Sequence, residues 1–330
     1  MINFTNSNIL ITGGAGFIGS NLAMHIQQKF SNTNIFVFDC FRNEEILNNG
    51  NLKSFGHYKN LIGFKGNIIC GDINKPNDLA ILDKYKFDLI FHHAAISDTR
   101  VYDQELVFST NINSFEYFLN KALVDKAPLV YASSAATYGN LPSPQKIGFE
   151  DPENPYGYSK FAMDQMAAKF SLSNPEVSIV GLRFFNVYGP HEFYKKKTAS
   201  MVLQLGHQIL SNKKPRLFYG SEKIFRDFVY IEDVVNACML AAEKKINGVY
   251  NVGSGIARSF KDIVDILQKE LGINTPIEYF DNPYKGYQNH TCADISLSKK
   301  LLNYSPKYSL EDGIKIYIPE IINVFGKSSD

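Results

Sequence analysis

In "NPYGYSK", Tyr156 and Lys160 stand four residues apart, so on a helix both side chains lie on one face. A phenol titrates near about 10 in water and is a poor base at neutral pH. An ammonium one turn away, together with an oxidised nicotinamide, stabilises the phenolate and makes it usable. Upstream, "YASSAATYG" closes an apolar run, and Ser134 at its end can hold a substrate oxygen beside that phenol. Tyr-x-x-x-Lys is common by chance on half-exposed helices, so the pair takes its meaning from its surroundings. Further on, "GPHEFYKKKTASM" sets Lys195, Lys196 and Lys197 in a row after a Gly-Pro turn. Such a run is ordinarily a solvated loop. The other reading is that one of the three carries a proton.

The surroundings begin with "ILITGGAGFIGSNLA", where Gly13, Gly14, Gly16 and Gly19 lie between a strand pattern and a helix pattern. Glycines there permit a tight turn and let the backbone approach a pyrophosphate at the helix N-terminus. Asp39 ends the next strand, 20 residues after Gly19, as a dinucleotide-binding unit requires. Asp39 can accept hydrogen bonds from a ribose 2′-hydroxyl, which favours NAD, and Arg42 is near enough to meet a 2′-phosphate, which favours NADP. The residues leave both open. His92 and His93 have no third ligand at metal-binding spacing and read as spacers beside the cofactor. Glycine fingerprint, Ser-Ser strand end and Tyr/Lys pair together point to hydride chemistry.

These residues need a frame. "NILIT", "IFVFD", "NIICGD", "DLIFHHA", "PLVYASS" and "VSIVGLR" read as buried strands, with helical periods over Phe17–Phe30, Asn77–Tyr85 and Ser109–Val124. Alternation of this kind predicts an α/β fold, a Rossmann-type doubly wound parallel sheet. Residues 1–180 form the cofactor-binding domain on this reading, with 228–250 returning to it. Residues 181–330 are mainly a smaller α/β substrate domain, including a helix over Ser259–Leu271. The Asn-, Gly- and Lys-rich stretch 43–63 has no strong period and reads as a surface excursion.

The 330 residues are 45% hydrophobic and 20% charged with a net charge of +1, ordinary for a globular protein and without a broad nucleic-acid or membrane surface. Cys40, Cys70, Cys238 and Cys292 are scattered, which suits core thiols in a reducing cytoplasm. No basic-apolar leader and no apolar run of membrane-spanning length is present.

With "RFFNVYGP", "KTASMV", "RLFYGSEKIFRDFVYIEDV" and "GYQNHTCADI" added, the chain resembles the extended short-chain dehydrogenase/reductases over nearly its whole length. Within that NAD-dependent epimerase/dehydratase family the likeness is to the ADP-heptose 6-epimerases. "EFYKKKTASM" and "FYGSEKIFRDFVY" are the specific stretches, whereas the others are shared widely. The segment 43–63 departs from the family's short, lysine-containing loop.

The resemblance implies an isomerase that oxidises the C6 hydroxyl of ADP-D-glycero-D-manno-heptose with bound NADP (NAD being possible). The ketone is then reduced on its other face to the L-glycero epimer, which supplies heptose for lipopolysaccharide core. A homo-oligomer is also implied. The family's catalytic roles fall on Tyr156, Lys195, Ser134 and Lys160. Its cofactor contacts fall on Gly13, Gly16, Phe17, Ile18, Gly19, Asp39, Cys40, Arg42, Asp72 and Ile73. They continue through His93, Ala94, Ala95, Ile96, Ser97, Asn111, Lys160 and Val187. Substrate contacts fall on Ser134, Asn186, Lys195, Lys197, Gln204, Phe218, Tyr219, Gly220, Ser221, Arg226 and Tyr287.

A lysine suits the second role. Rotation about C5–C6 presents the other ketone face but swings the oxygen away from Tyr156. Direct proton transfer needs roughly 2.6–3.2 Å, so a second donor is required. Three other readings compete. A 4,6-dehydratase needs acids after the catalytic hydroxyl residue, where this chain has Ala135 and Ala136. A UDP-hexose 4-epimerase turns the whole hexose over and needs one tyrosine only. A cofactor-sensing binding protein has no use for Ser134, Tyr156 and Lys160 together.

Overall fold

The computed structural model describes residues 4–43, 45–283 and 290–328. All six apolar runs form strands: β1 (Asn8–Thr12), β2 (Asn34–Asp39), β3 (Asn67–Cys70), β4 (Leu89–His92), β5 (Leu129–Ser134) and β6 (Ile179–Phe184). The chain then adds β7 (Asn186–Tyr188), β8 (Arg216–Phe218), β9 (Phe225–Tyr230), β10 (Gly248–Val252), β11 (Ala257–Ser259) and β12 (Glu278–Phe280). The helices are α1 (Phe17–Lys29), α2 (Pro76–Leu79), α3 (Gln104–Phe108), α4 (Ser114–Asp125) and α5 (Pro155–Ser173). They continue with α6 (Met201–Leu210), α7 (Ile231–Glu243), α8 (Phe260–Leu271) and α9 (Leu310–Val324).

Seven strands make one parallel sheet in the order β10-β6-β5-β4-β1-β2-β3. The order reverses between β1 and β4, and in such sheets a crevice opens beyond the carboxyl ends of the strands at that point. Side chains alternate along each strand. Ile9, Ile11, Val37, Phe91 and Val130 enter one core, while Leu10, Phe36, Phe38, Ile90 and Leu129 enter another. The first core runs on into Val202, Leu205, Ile263, Leu267, Ile314 and Ile321 of α6, α8 and α9. After β6 the chain leaves this sheet, forms the small sheets β11-β9-β7 and β12-β8, and comes back through α7 to place β10 beside β6.

Four expectations are corrected. The run read as a buried strand at "NIICGD" is a strand, but β3 lies at the edge of the sheet and is largely exposed, Ile68 to 52%. The helix over Asn77–Tyr85 is only the single turn α2 plus a 3-10 turn at Leu82–Lys84. Pro76 starts it, but Leu79 and Leu82 alone are buried there, too few anchors for a longer helix. The helix expected from Ser109 begins earlier, at Gln104, where the Asp103 carboxylate accepts from Leu106 N at 3.0 Å, and it passes through a wider turn at Ser109–Asn113. The stretch 43–63 is not simply a surface excursion, because His57 and Asn60 within it are 4% and 3% exposed. Their polar groups are satisfied inside the protein, which composition does not reveal.

Candidate active site

Beyond β1 and β4 lies a cleft of about 550 Å³. Its floor is the turn into α1. Gly13 has φ +66°, and a Cβ there would lie 2.7 Å from Ala94 N; one on Gly19 would overlap the Gly13 carbonyl. That bare backbone leaves room for a pyrophosphate at the start of α1. Gly16, Phe17, Ile18, Asp39, Cys40, Asp72, Ile73, His93, Ala94, Ala95, Ile96, Ser97 and Val187 line the same cleft.

Asp39 is almost fully buried. Its carboxylate accepts from Ala15 N at 2.9 Å and Phe41 N at 2.8 Å. Burial pushes its pKa up and those amides oppose the shift. Arg42 does not line the cleft, and its guanidinium donates to the Tyr194 carbonyl. Lys53 does line the cleft, and it pairs with Glu45 at 2.9 Å. Lys53, Ser54 and Phe55 were invisible as site residues because they sit in the unpatterned stretch. Asn111 supports the cleft from behind: its amide accepts from Ile96 N at 2.9 Å and donates to Ser159 Oγ at 2.9 Å.

Tyr156 and Lys160 come from the first turns of α5, which Asn154 caps by accepting from Gly157 N at 2.8 Å. Both line the cleft with Ser134 from the end of β5. The Lys160 ammonium lies 6.0 Å from the Tyr156 ring centroid. Burial raises the Tyr156 pKa, and the Ser134 hydroxyl facing it opposes that. Lys160 is 2% exposed, and burial lowers its pKa to about 8. Its acceptor among the described residues is the Met163 thioether at 3.7 Å, a weak partner for an ammonium. Among the described residues His93 has no partner for either buried ring nitrogen, and burial lowers its pKa to about 3, so it is neutral. His92 instead bonds Thr12 Oγ1 through Nδ1 at 2.8 Å. A buried ammonium, orphaned imidazole nitrogens and a bare glycine turn fit a dinucleotide cofactor whose polar groups complete them.

Beneath the site is a network that motif reading missed. Asp164, one turn after Lys160, accepts from Tyr131 Oη at 2.9 Å, Ser133 Oγ at 3.0 Å and Arg183 Nη2 at 2.8 Å. Arg183 also reaches Glu150 at 2.6 Å. These bonds tie α5 to β5 and β6.

Lys195 lines the cleft too, with Asn186 and Arg226. The residue as a whole is half-buried, but its ammonium sits low enough that burial depresses its pKa, opposed by Glu192 and Asp98. It lies 5.4 Å from the Phe17 ring centroid. The buried Glu192 carboxylate accepts from Gly189 N at 3.2 Å and from Ser200 Oγ at 2.8 Å, clasping both ends of the lysine segment. Lys197 is exposed and outside the cleft. Gln204 braces the segment through the Ala199 carbonyl at 2.6 Å. Phe218, Tyr219, Gly220 and Ser221 do not line this cleft, and Tyr287 lies outside the described residues.

The fold is shared with characterised proteins. A Helicobacter pylori ADP-L-glycero-D-manno-heptose-6-epimerase is similar at 49% identity, covering 97% of each chain, with a TM-score of 0.88. A Thermotoga maritima UDP-glucose 4-epimerase is similar at 26% identity over 96% of this chain and 99% of that one, TM-score 0.85. A Bacillus cereus UDP-glucuronic acid 4-epimerase, solved with UDP-glucuronic acid and NAD, is 27% identical over 96% of this chain and 100% of that one, TM-score 0.81. Residues 9–253 match the NAD dependent epimerase/dehydratase family, and the chain belongs to that family.

Proposed function

We propose that this epimerase interconverts the C6 epimers of an ADP-glycero-manno-heptose, with NADP as the bound dinucleotide. The observation that carries the reading is that one cleft is lined by both Tyr156 and Lys195, two side chains able to transfer a proton. A 4-epimerase needs one. The 49% identity to the H. pylori ADP-heptose enzyme supports the same choice over the UDP-hexose alternative. Residues 1–180 with 228–250 are read as the cofactor unit and 181–330 mainly as the substrate unit, in a cytoplasmic homo-oligomer.

When bound, the nicotinamide supplies a hydride acceptor and donor whose positive oxidised form favours a nearby phenolate. Tyr156 takes the C6 hydroxyl proton in one epimer, with Ser134 holding the same oxygen. Lys160 keeps a positive charge by that phenolate while its pKa of about 8 exceeds the ambient pH. After the C6 carbon turns, the oxygen leaves Tyr156 and meets the Lys195 ammonium, whose lowered pKa makes it a usable acid. Arg226, which lines the cleft and whose fork suits a pyrophosphate, is read as a contact to the nucleotide end.

The test is incubation with ADP-D-glycero-D-manno-heptose and chromatographic separation of the two C6 epimers. Tyr156→Phe and Lys195→Met should each lower kcat on the order of a hundred- to ten-thousand-fold while dinucleotide affinity holds. Conversion of UDP-glucose and not ADP-heptose, or wild-type turnover in Lys195→Met, would overturn the reading.

A further inference from the structure

The Lys195 ammonium has no hydrogen-bond partner among the described residues, only the Phe17 ring beside it. No hydrogen bond at its tip fixes where it points, so its place depends chiefly on the backbone that carries it. Next to it, Lys196 has φ +52°, a conformation that a non-glycine residue keeps only when its surroundings impose it.

Those surroundings are unevenly divided. The start of the segment is held by α1 and α9: Asn21 Nδ2 donates to the Pro190 carbonyl at 2.9 Å, and His191 N to Glu320 at 2.9 Å. Its two ends are joined through Glu192. The middle, at Tyr194 directly before Lys195, is held by the 43–63 excursion and by Arg42 just before it. The His57 ring stacks on the Tyr194 ring with centroids 3.8 Å apart and planes 1° from parallel. The Arg42 guanidinium donates to the Tyr194 carbonyl, and the Lys59 ammonium lies 6.0 Å from the Tyr194 ring centroid. The excursion is itself pinned to the glycine turn, because His57 N at 3.0 Å and Asn60 Nδ2 at 3.1 Å both donate to the Ala15 carbonyl. Asn60 Nδ2 also donates to the His191 carbonyl at 3.2 Å. A path of direct contacts therefore runs from Ala15, through His57 and Tyr194, to Lys195.

We propose that the 43–63 excursion, with Arg42 just before it, positions the second proton-transfer group, His57 and Arg42 fixing Tyr194, and through it Lys195, relative to the turn that seats the dinucleotide. His57 touches no reacting atom and is a positioning residue. The proposal rests on Lys195 carrying a proton.

The experiment compares His57→Leu, which keeps bulk but not a flat ring, with His57→Phe, which keeps the stack. It uses the dinucleotide-loaded enzyme and ADP-heptose. A displacement of about 1 Å can cost on the order of a hundredfold in rate, so His57→Leu should lower kcat by about ten- to a hundredfold. KM and dinucleotide affinity should stay within about threefold, since the loss is of alignment and not of uniform binding. His57→Phe should stay within about threefold of wild type, because the stacked ring is retained. In a Lys195→Met background His57→Leu should add nothing, as expected of residues acting as one unit. Wild-type kcat in His57→Leu, an equal fall in His57→Phe, or full additivity with Lys195→Met would overturn the proposal. If His57→Leu fails to fold, Tyr194→Leu against Tyr194→Phe removes the same stack from its other side and decides by the same criteria. A wild-type Lys195→Met would instead sink the catalytic reading beneath it.

Discussion

Lys160 shows how one residue trades stability for chemistry. Its ammonium is buried and, among the described residues, has only a thioether to accept from it, an arrangement that costs free energy until a ligand completes it. Its pKa is about 8 in the fold and about 10.4 in an unfolded chain. Between those values the unfolded chain binds more protons, so stability rises with pH across that window. Lys160→Met lacks that dependence. It should melt higher than the cofactor-free wild type at pH 7, and its lead should shrink between about pH 8 and pH 10.4. Melting temperatures across that range check this, and a lead that grows with pH would refute it. Cofactor choice is also a residue-scale matter. Arg42 was the cation expected at a 2′-phosphate, yet its guanidinium is turned to Tyr194 while Lys53 lines the cleft. Lys53→Met should therefore weaken NADP binding by about tenfold or more and NAD binding little, as loss of one charge-assisted phosphate contact implies. Arg42→Met should leave the ratio of the two affinities as in wild type. Isothermal titration with each dinucleotide separates the outcomes, and equal losses in Lys53→Met would remove it from the phosphate.

At the scale of elements, β1, β2, β4, β5 and β6 were legible because parallel strands buried on both faces must be apolar throughout, and β3 was legible from its short apolar run although it is an exposed edge strand. The glycine turn and the Tyr156/Lys160 pair were legible because their spacing is dictated by backbone geometry. The 43–63 stretch was not, since Asn60 and His57 are buried on partners distant in the chain, Ala15 and His191 among them. Asp164 was missed for the same reason: its donors come from β5 and β6. That carboxylate holds α5, and with it Tyr156 and Lys160, against the sheet. Asp164→Leu leaves Arg183 with Glu150 alone and should destabilise the protein by about 3–5 kcal/mol, the usual cost of breaking a buried ion pair. Adding Arg183→Met should recover part of that loss, because it removes the uncompensated charge. Urea unfolding measures both. A double variant weaker than Asp164→Leu would mean that Arg183 contributes through Glu150 or its packing on Tyr138.

Over the whole molecule, one apolar core passes from the sheet into α6, α8 and α9 without interruption, so the C-terminal helices report on the site. α9 carries Tyr317, which faces the Glu192 carboxylate without a well-formed hydrogen bond, and Glu320, which accepts from His191 N. The helix can approach closely because Gly313 packs against Tyr188 of β7 and Tyr230 of β9, both almost fully buried. A Cβ on Gly313 would overlap the Tyr188 hydroxyl. Alanine is favoured over glycine in a helix by up to about 1 kcal/mol, but overpacking a core costs about 1–3 kcal/mol. The second effect should win, because both tyrosine rings are enclosed and have nowhere to move. Gly313→Ala should therefore lower the melting temperature and lower kcat, by shifting α9 under the lysine segment, while dinucleotide affinity is unchanged. Its unfolding should remain a single calorimetric transition, as a shared core requires. A higher melting temperature would show that α9 adjusts freely, and two resolved transitions would show that the helices and the sheet do not share one cooperative core.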